Sequence, residues 1–336
     1  MDALRKILVI VDPTVEDAAA ARKAARLATA TGAAVELHIC DYSPALDAAR
    51  YLDQPTLAVA AEPIAARHQL HLDRLAAGLR SAALEVTTSI AFDNPLHAAI
   101  VRRVGATRPD LVVKDTHHHG TLRRALYTNC DWHLIRECTA PLLLVRQNPW
   151  SAVPPVAAAI DPSHPGDAGA HLDHALVAAA LALARALGSR VQLVHVFSTL
   201  NLMTVGVGAA VAPGAVLPAD FAAIEALRAL HRTQLDALAA AHDVAAADAF
   251  LIDGIATHAL PEFVADHAVE LLAMGAVARG RLHELIVGST AERVLDRLDC
   301  DLLIVKARDA AADSPYRAAH AAAKTGTRVG KAGGTP

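Results

Sequence analysis

Short apolar runs alternate with longer amphipathic or alanine-rich stretches along most of this sequence. The apolar runs hold Val, Ile and Leu without interruption, a pattern typical of strands that are buried on both faces of a parallel sheet. The stretches between them have helical periodicity. The clearest are Ala18–Thr31, Pro63–Ala83, Leu96–Gly105 and His174–Gly188. Strands that alternate with helices predict a doubly wound parallel α/β sheet.

The second half of the chain repeats the pattern of the first. The run Lys6–Pro13 resembles Val156–Pro162, since each is apolar and ends in Asp-Pro before a helical stretch. Three further apolar runs recur in the same order. They are Val35–Ile39 with Val191–His195, Asp110–Asp115 with Glu270–Gly275, and Pro141–Val145 with Asp301–Val305. Because repeats of this kind mark a duplicated structural unit, we predict two similar domains, residues 1–147 and 154–308.

A polar, proline-containing linker separates the two predicted domains, and an irregular tail follows the second. The linker is Gln147–Pro154. Residues 309–336 are rich in Ala, Gly, Lys, Arg and Thr without periodicity, which predicts a disordered tail. The apolar closing runs Pro141–Val145 and Asp301–Val305 are the natural contact between the domains, side by side or antiparallel.

Composition excludes several function classes. The net charge is −4 and 54% of residues are hydrophobic, so a nucleic-acid partner is not expected. The nearest candidate for a membrane span, residues 202–219, carries residues that would break or weaken it, among them Gly206, Gly208, Pro213 and Pro218. Four cysteines without zinc-site spacing indicate a reduced cytosol, and hence a cytoplasmic protein.

Two glycine-containing segments follow predicted strand ends in the second half. In an open parallel sheet, ligands bind beyond the carboxyl ends of the strands, where the strand order reverses. Met274–Gly280 follows the fourth strand, and Gly288-Ser289 opens a helix whose free N–H groups could hold phosphates. The alternative is structural, because Ser289–Glu292 also fits a helix capping box.

These residues resemble the universal stress protein family, whose nucleotide pattern is Gly-x2-Gly-x9-Gly-(Ser/Thr). The matching segments are Met274-Gly275, Gly288–Leu295 and Cys300–Val305, with His117–His119 and Tyr127–Arg136 in the first half. The resemblance covers roughly residues 4–308. It implies two tandem flavodoxin-like domains, each an open five-stranded parallel sheet with helices on both faces. Single-domain members of the family form dimers, so the tandem chain resembles an intramolecular pseudo-dimer, and a further homodimer is an option.

The resemblance implies a site for an adenine nucleotide, ATP or AMP, in the second domain, with Mg²⁺ only as its companion. Asp161 would meet the nucleoside, and Val196 would meet adenine through its backbone. The implied ribose and phosphate residues are Gly275, Gly288, Ser289 and Thr290. The middle glycine of the pattern is Ala278, where a methyl group costs ~1 kcal/mol or blocks binding, and Arg279 and Arg281 are candidate phosphate partners.

The first half departs from the pattern altogether. Asp115, His118, Thr128 and Asn129 stand at the matching places, and Asp115 would repel a phosphate. We therefore expect no nucleotide site there.

Two polar features of the first half remain. His117–His119 with His133 suggests a metal, but three consecutive residues cannot readily face one ion, so we expect no metal site. Lys114 ends a predicted buried strand, where an unpaired charge is costly. Salt-bridging to Asp12 or Asp115 is the expected solution, and an anionic ligand is the alternative.

The segment Leu200–Phe221 is apolar where a long connection is normally polar. It packs on the protein's own helices, on another chain, or over an apolar, lipid-like ligand.

No catalytic constellation stands out in the sequence. We therefore expect a ligand-binding regulator of the stress response rather than an enzyme. The alternatives are a nucleotide-independent interaction module, a sensor or carrier of an apolar ligand, and a weak ATPase.

Overall fold

The computed structural model confirms the alternation of strands and helices in both halves. It describes residues 4–15, 18–42, 54–80, 84–116, 128–163, 168–199, 221–276, 294–295 and 297–306. The predicted tail at 309–336 lies outside these residues, and the proposed domain limits stay predictions.

In its described residues, the first half contains five strands and four helices. The strands are β1 (Lys6–Ile10), β2 (Ala34–Asp41), β3 (Val86–Phe92), β4 (Leu111–Asp115) and β5 (Leu142–Val145). The helices are α1 (Ala19–Thr31), α2 (Gln54–Arg80), α3 (Leu96–Thr107) and α4 (Asn129–Glu137).

The second half repeats this order within the described residues. Its strands are β6 (Val156–Ile160), β7 (Val191–Phe197), β8 (Ala249–Asp253), β9 (Leu271–Ala276) and β10 (Asp301–Lys306). Its helices are α5 (Ala168–Leu187), α6 (Phe221–Ala241) and α7 (Ala256–Asp266). The first helix of each half ends at a glycine in the left-handed conformation, Gly32 with φ 73° and Gly188 with φ 68°, where a side chain would be strained.

All ten described strands form one continuous sheet. Its order is β3-β2-β1-β4-β5-β10-β9-β6-β7-β8, so each half has the order 3-2-1-4-5 with parallel pairing. This is the strand order of the dinucleotide-binding fold without its sixth strand, whereas flavodoxin has 2-1-3-4-5, and both belong to the doubly wound α/β class. The order reverses between β1 and β4 in the first half and between β6 and β9 in the second.

The halves meet through their closing strands, as the apolar runs predicted. β5 and β10 pair antiparallel, with Leu143 opposite Leu303 at the centre of the contact. Apolar side chains cover both faces of the whole sheet. On one face lie α1, α2, α5 and α6, and on the other lie α3, α4, α7 and the segment around Val294. The two strand-order reversals therefore belong to one sheet.

Candidate functional site: the two strand-order reversals

In the second half, Asp161 directly follows β6 at the point where the strand order reverses. Its carboxylate oxygen Oδ1 accepts hydrogen bonds from the backbone N–H of Ser163, at 3.4 Å, and from the Ser163 hydroxyl, at 2.5 Å. Its own backbone N–H donates to the carboxylate of Asp173 on α5. The Asp161 side chain is 55% exposed. The turn thus holds a carboxylate in a fixed position while leaving it accessible to a ligand.

Two histidines form a polar layer beside Asp161. His195 on β7 is buried, and its Nδ1 contacts the carbonyl oxygen of Ile160 at 3.1 Å. Its Nε2 lies 2.8 Å from Nδ1 of His231 on α6, and its ring lies 4.0 Å from the Asp161 carboxylate. Burial lowers the pKa of His195, although the Ile160 carbonyl and Asp161 oppose this effect. Since a carbonyl only accepts, Nδ1 of His195 carries the proton and Nε2 accepts from His231.

Val196 lies at the end of β7, one residue beyond its last pair with β6, Ile160 opposite His195. Its other edge still pairs with Ile252 of β8. Its side chain packs partly buried against the apolar layer. The structure thus places Val196 at the same sheet edge as Asp161, as the family resemblance implied, and its contact with adenine remains a prediction.

Gly275 lies near the end of β9, the strand next to β6, and is exposed. A Cβ atom at this position would lie 2.7 Å from Cδ2 and 3.1 Å from Cγ of Leu172 on α5. Packing against Leu172 is therefore a sufficient structural reason for glycine here. The same lack of a side chain keeps the backbone of this strand end accessible.

The remaining predicted site residues lie outside the described part of the chain. They are Ala278, Arg279, Arg281, Gly288, Ser289 and Thr290. The tract His117–His119 and the segment Leu200–Phe221 also fall outside it, except for Phe221, whose side chain is 78% exposed.

The first half has the same turn after β1. Oδ1 of Asp12 accepts from the backbone N–H of Thr14 at 2.7 Å and from its hydroxyl at 2.5 Å. Asp12-Pro13-Thr14 and Asp161-Pro162-Ser163 thus share one hydrogen-bonding pattern. The difference between the halves arises at the neighbouring strand.

Where the second half has exposed Gly275, the first half has a buried carboxylate. Asp115 is 1% exposed and accepts a hydrogen bond of 2.9 Å from the backbone N–H of Ala20, in the first turn of α1. A helix N-terminus attracts negative charge because its N–H groups and dipole point there. The Asp115 carboxylate therefore occupies the position at this helix N-terminus where an anionic ligand could otherwise bind.

A second carboxylate fills the start of α4. Asp131 accepts from the backbone N–H of Thr128 at 2.8 Å and from its hydroxyl, while its own N–H donates to the Thr128 hydroxyl. This is a complete capping box at the N-terminus of α4, whose first residue is Asn129.

Lys114 pairs with this same carboxylate, a partner that the sequence did not predict, and the charge of the predicted partner Asp115 also acts on it. Its Nζ lies 2.8 Å from Oδ1 of Asp131 and donates to the backbone carbonyl of Asp115. Burial would lower the pKa of Lys114, but the Asp131 carboxylate, together with Cys130 and Asp115, outweighs this effect and raises the pKa above its ordinary value. The sequence could not reveal this pair because α4 brings Asp131 back to β4 only in the folded chain.

Comparison with known proteins agrees with this geometry. A sequence profile of the universal stress protein family matches residues 3–146 and again residues 159–306. The chain belongs to the universal stress protein family. The fold class and the tandem arrangement that the resemblance implied are thereby confirmed.

Similar proteins span the same two halves. Universal stress protein E of Escherichia coli K12 is 23% identical over 91% of this chain and 95% of its own length. The homologue in Haemophilus influenzae is 24% identical over 90% of this chain and 97% of its own. A solved structure of a protein of unknown function from Pseudomonas aeruginosa PAO1 has a TM-score of 0.71 at 23% identity, covering 95% of this chain and 98% of that one. The last likeness shows the shared fold. Among the described helices, none is sufficiently long and apolar to cross a membrane.

Proposed function

We propose that this universal stress protein is a cytoplasmic, ligand-binding regulator that holds one adenine nucleotide, ATP or AMP, in its second half. The observation that carries the proposal is the difference between the two strand-order reversals. Asp115 is buried at one, whereas Gly275 is exposed at the other. The first half therefore blocks the position that the second half leaves accessible.

Electrostatics supports the same assignment. In the first half, the carboxylates of Asp115 and Asp131 lie at the N-termini of α1 and α4. These are the places where a phosphate would gain most from helix N–H groups, and the two carboxylates already occupy them, Asp131 together with its partner Lys114. At the position of Asp115 the second half has Gly275, which carries no charge.

The described residues suit a nucleoside at the second site. Asp161 presents an exposed carboxylate that can accept hydrogen bonds from ribose or adenine, and the end of β7 at Val196 offers backbone groups. By the family pattern, Gly275, Gly288, Ser289, Thr290 and Arg279 would surround the ribose and phosphates. Mg²⁺ would enter only with the nucleotide.

Asp12 provides a matched control for Asp161, since both carboxylates hold the same turn. Calorimetric titration of the full chain with Mg·ATP and with AMP should therefore compare Asp161→Ala with Asp12→Ala. We expect Asp161→Ala to weaken binding at least ~10-fold, since a hydrogen bond to a charged group contributes about 1.5–3 kcal/mol. Asp12→Ala should leave the affinity unchanged.

Two results would contradict the proposal. One is an equal loss of nucleotide affinity in both variants, which would mean that the substitutions act through the turn structure and not through contact with the nucleotide. The other is the absence of any binding to the unmodified chain, which would favour the nucleotide-independent interaction module.

A further inference from the structure

A cluster of three metal-ligating groups lies between α3 and α4 in the first half. His97 comes from the first turn of α3, and His133 and Glu137 come from successive turns of α4. Nδ1 of His133 lies 3.1 Å from Oε1 of Glu137, and Nε2 of His97 lies 3.9 Å from the same oxygen. All three ligand atoms lie within 4.8 Å of one another.

These distances match the spacing around a small cation. Zn²⁺ binds imidazole nitrogen and carboxylate oxygen at about 2.0–2.2 Å, so neighbouring ligand atoms of a tetrahedral site lie ~3.3 Å apart. The observed separations of 3.1 and 3.9 Å lie on either side of this value. Two imidazoles and one carboxylate are a ligand set suited to Zn²⁺ and similar transition-metal ions.

The histidine rings must turn to bind an ion. They are stacked with centroids 3.8 Å apart and an interplanar angle of 4°. Because the coordinating lone pair of an imidazole lies in the ring plane, the two lone pairs now run side by side and do not converge. The side chains of His133 and Glu137 are 41% and 44% exposed, so they have space to tilt toward His97, which is 16% exposed.

We propose that His97, His133 and Glu137 bind one divalent transition-metal ion such as Zn²⁺, with water in the fourth position. The ion would join α3 to α4. Since the Thr128–Asp131 capping box forms the start of α4, the ion would also fix the helix whose carboxylate fills the first half's reversal point. In this site His133 lies with His97 and Glu137, and not with the His117–His119 tract that the sequence suggested.

The test must separate this cluster from the other histidines, since the chain contains 18. Tag-free full-length protein, stripped with a chelator, is titrated with Zn²⁺ against a chelating dye, and Co²⁺ absorption reports the coordination. The background variant replaces His117, His118 and His119 by Ala. On that background, His97→Ala and Glu137→Gln are compared with His174→Ala, which removes one member of the pair His174–His242 instead.

We expect the background variant to keep one high-affinity site with the Co²⁺ spectrum of nitrogen and oxygen ligands. His97→Ala and Glu137→Gln should each weaken it at least ~100-fold, because loss of even an outer-shell partner costs 10–100-fold. His174→Ala should not change it. Thermal melting in chelator should be equal for all variants, which shows that they fold. Loss of the site with the histidine tract alone, or binding that survives His97→Ala, would overturn the proposal.

Discussion

Lys23 and Asp301 form a buried ion pair that joins the two halves of the protein. The Lys23 ammonium on α1 lies 2.7 Å from the Asp301 carboxylate on β10, and their side chains are 5% and 3% exposed. Lys23 also donates to the carbonyl of Arg146, whose N–H donates to Asp301. Burial lowers the pKa of Lys23 and raises that of Asp301, and each charge partly offsets this effect on the other. The two buried charges therefore compensate each other only while the two halves are in contact.

Removing one partner should destabilise the whole protein. Lys23→Met or Asp301→Asn leaves the other group buried without its counter-charge, which typically costs about 3–5 kcal/mol. The double variant Lys23→Met/Asp301→Asn should cost clearly less than the sum of the singles. Urea unfolding measures all three.

The control for this pair is Arg232–Asp236 on α6, an exposed ion pair at 3.0 Å. Asp236→Asn should cost below ~1 kcal/mol, as exposed pairs do. Additive costs at Lys23 and Asp301 would show that the two groups do not stabilise each other.

Acid should weaken the fold through His38. This residue of β2 is 2% exposed, and its Nδ1 contacts the hydroxyl of Ser89. Burial, helped by the Arg103 guanidinium and opposed by Glu36, lowers its pKa to about 4 from an ordinary 6.5. Between these values the unfolded chain binds the extra proton, so stability should fall by about 3 kcal/mol as pH drops from 6.5 to 4.

The variant His38→Asn removes this titration but keeps a polar group near Nδ1. Its unfolding free energy should depend less on pH across that window, while His258→Asn, at an exposed histidine, should follow the unmodified protein. Glu36 is present in every variant. Against the effect of burial, hydrogen bonds from Lys6, Arg103 and Ser89 hold its pKa below the ordinary 4.5, so the stability that its carboxylate contributes is lost only below pH 4.5. Parallel pH profiles for all three proteins would refute the role of His38.

Gly275→Ala should be destabilising because of Leu172. The added Cβ would lie 2.7 Å from the Leu172 side chain, and overpacking of this kind costs about 1–3 kcal/mol. In a Leu172→Ala background the same substitution should cost almost nothing. Gly254→Ala is the control, since its Cβ would meet Ala259 at an ordinary 3.6 Å. If Gly275→Ala lowers the free energy of unfolding equally with and without the Leu172 side chain, the clash with Leu172 is not the reason for glycine at this position.

Sequence periodicity predicted the strands and the doubly wound class, because strands buried on both faces of a sheet are continuous apolar runs that can be recognised locally. The repeat also predicted contact between the closing strands, although it left their direction open. Two equivalent strands related by a two-fold axis run in opposite directions, and β5 and β10 do so. Two helix starts differed: α2 was predicted to begin at Pro63 but begins at Gln54 and contains that proline, and α5 was predicted to begin at His174 but begins at Ala168.

Contacts between distant elements could not be predicted from the sequence. Asp131 reaches Lys114, and His133 reaches His97, only through the packing of α4 on β4 and α3. His195 carried a usable signal, because it is a polar residue between the apolar residues Val194 and Val196 of a buried strand. Its partner His231, however, comes from a helix that local pattern does not place beside β7.

The number of nucleotides bound per chain tests the central claim most directly. Isothermal titration of the full chain with Mg·ATP and AMP should give one equivalent, because Asp115 and Asp131 fill the first reversal point while Gly275 leaves the second accessible. The double variant Asp115→Asn/Asp131→Asn should still bind through the second half. Two equivalents in the unmodified chain would contradict the asymmetry of the two halves, and zero would contradict nucleotide binding altogether.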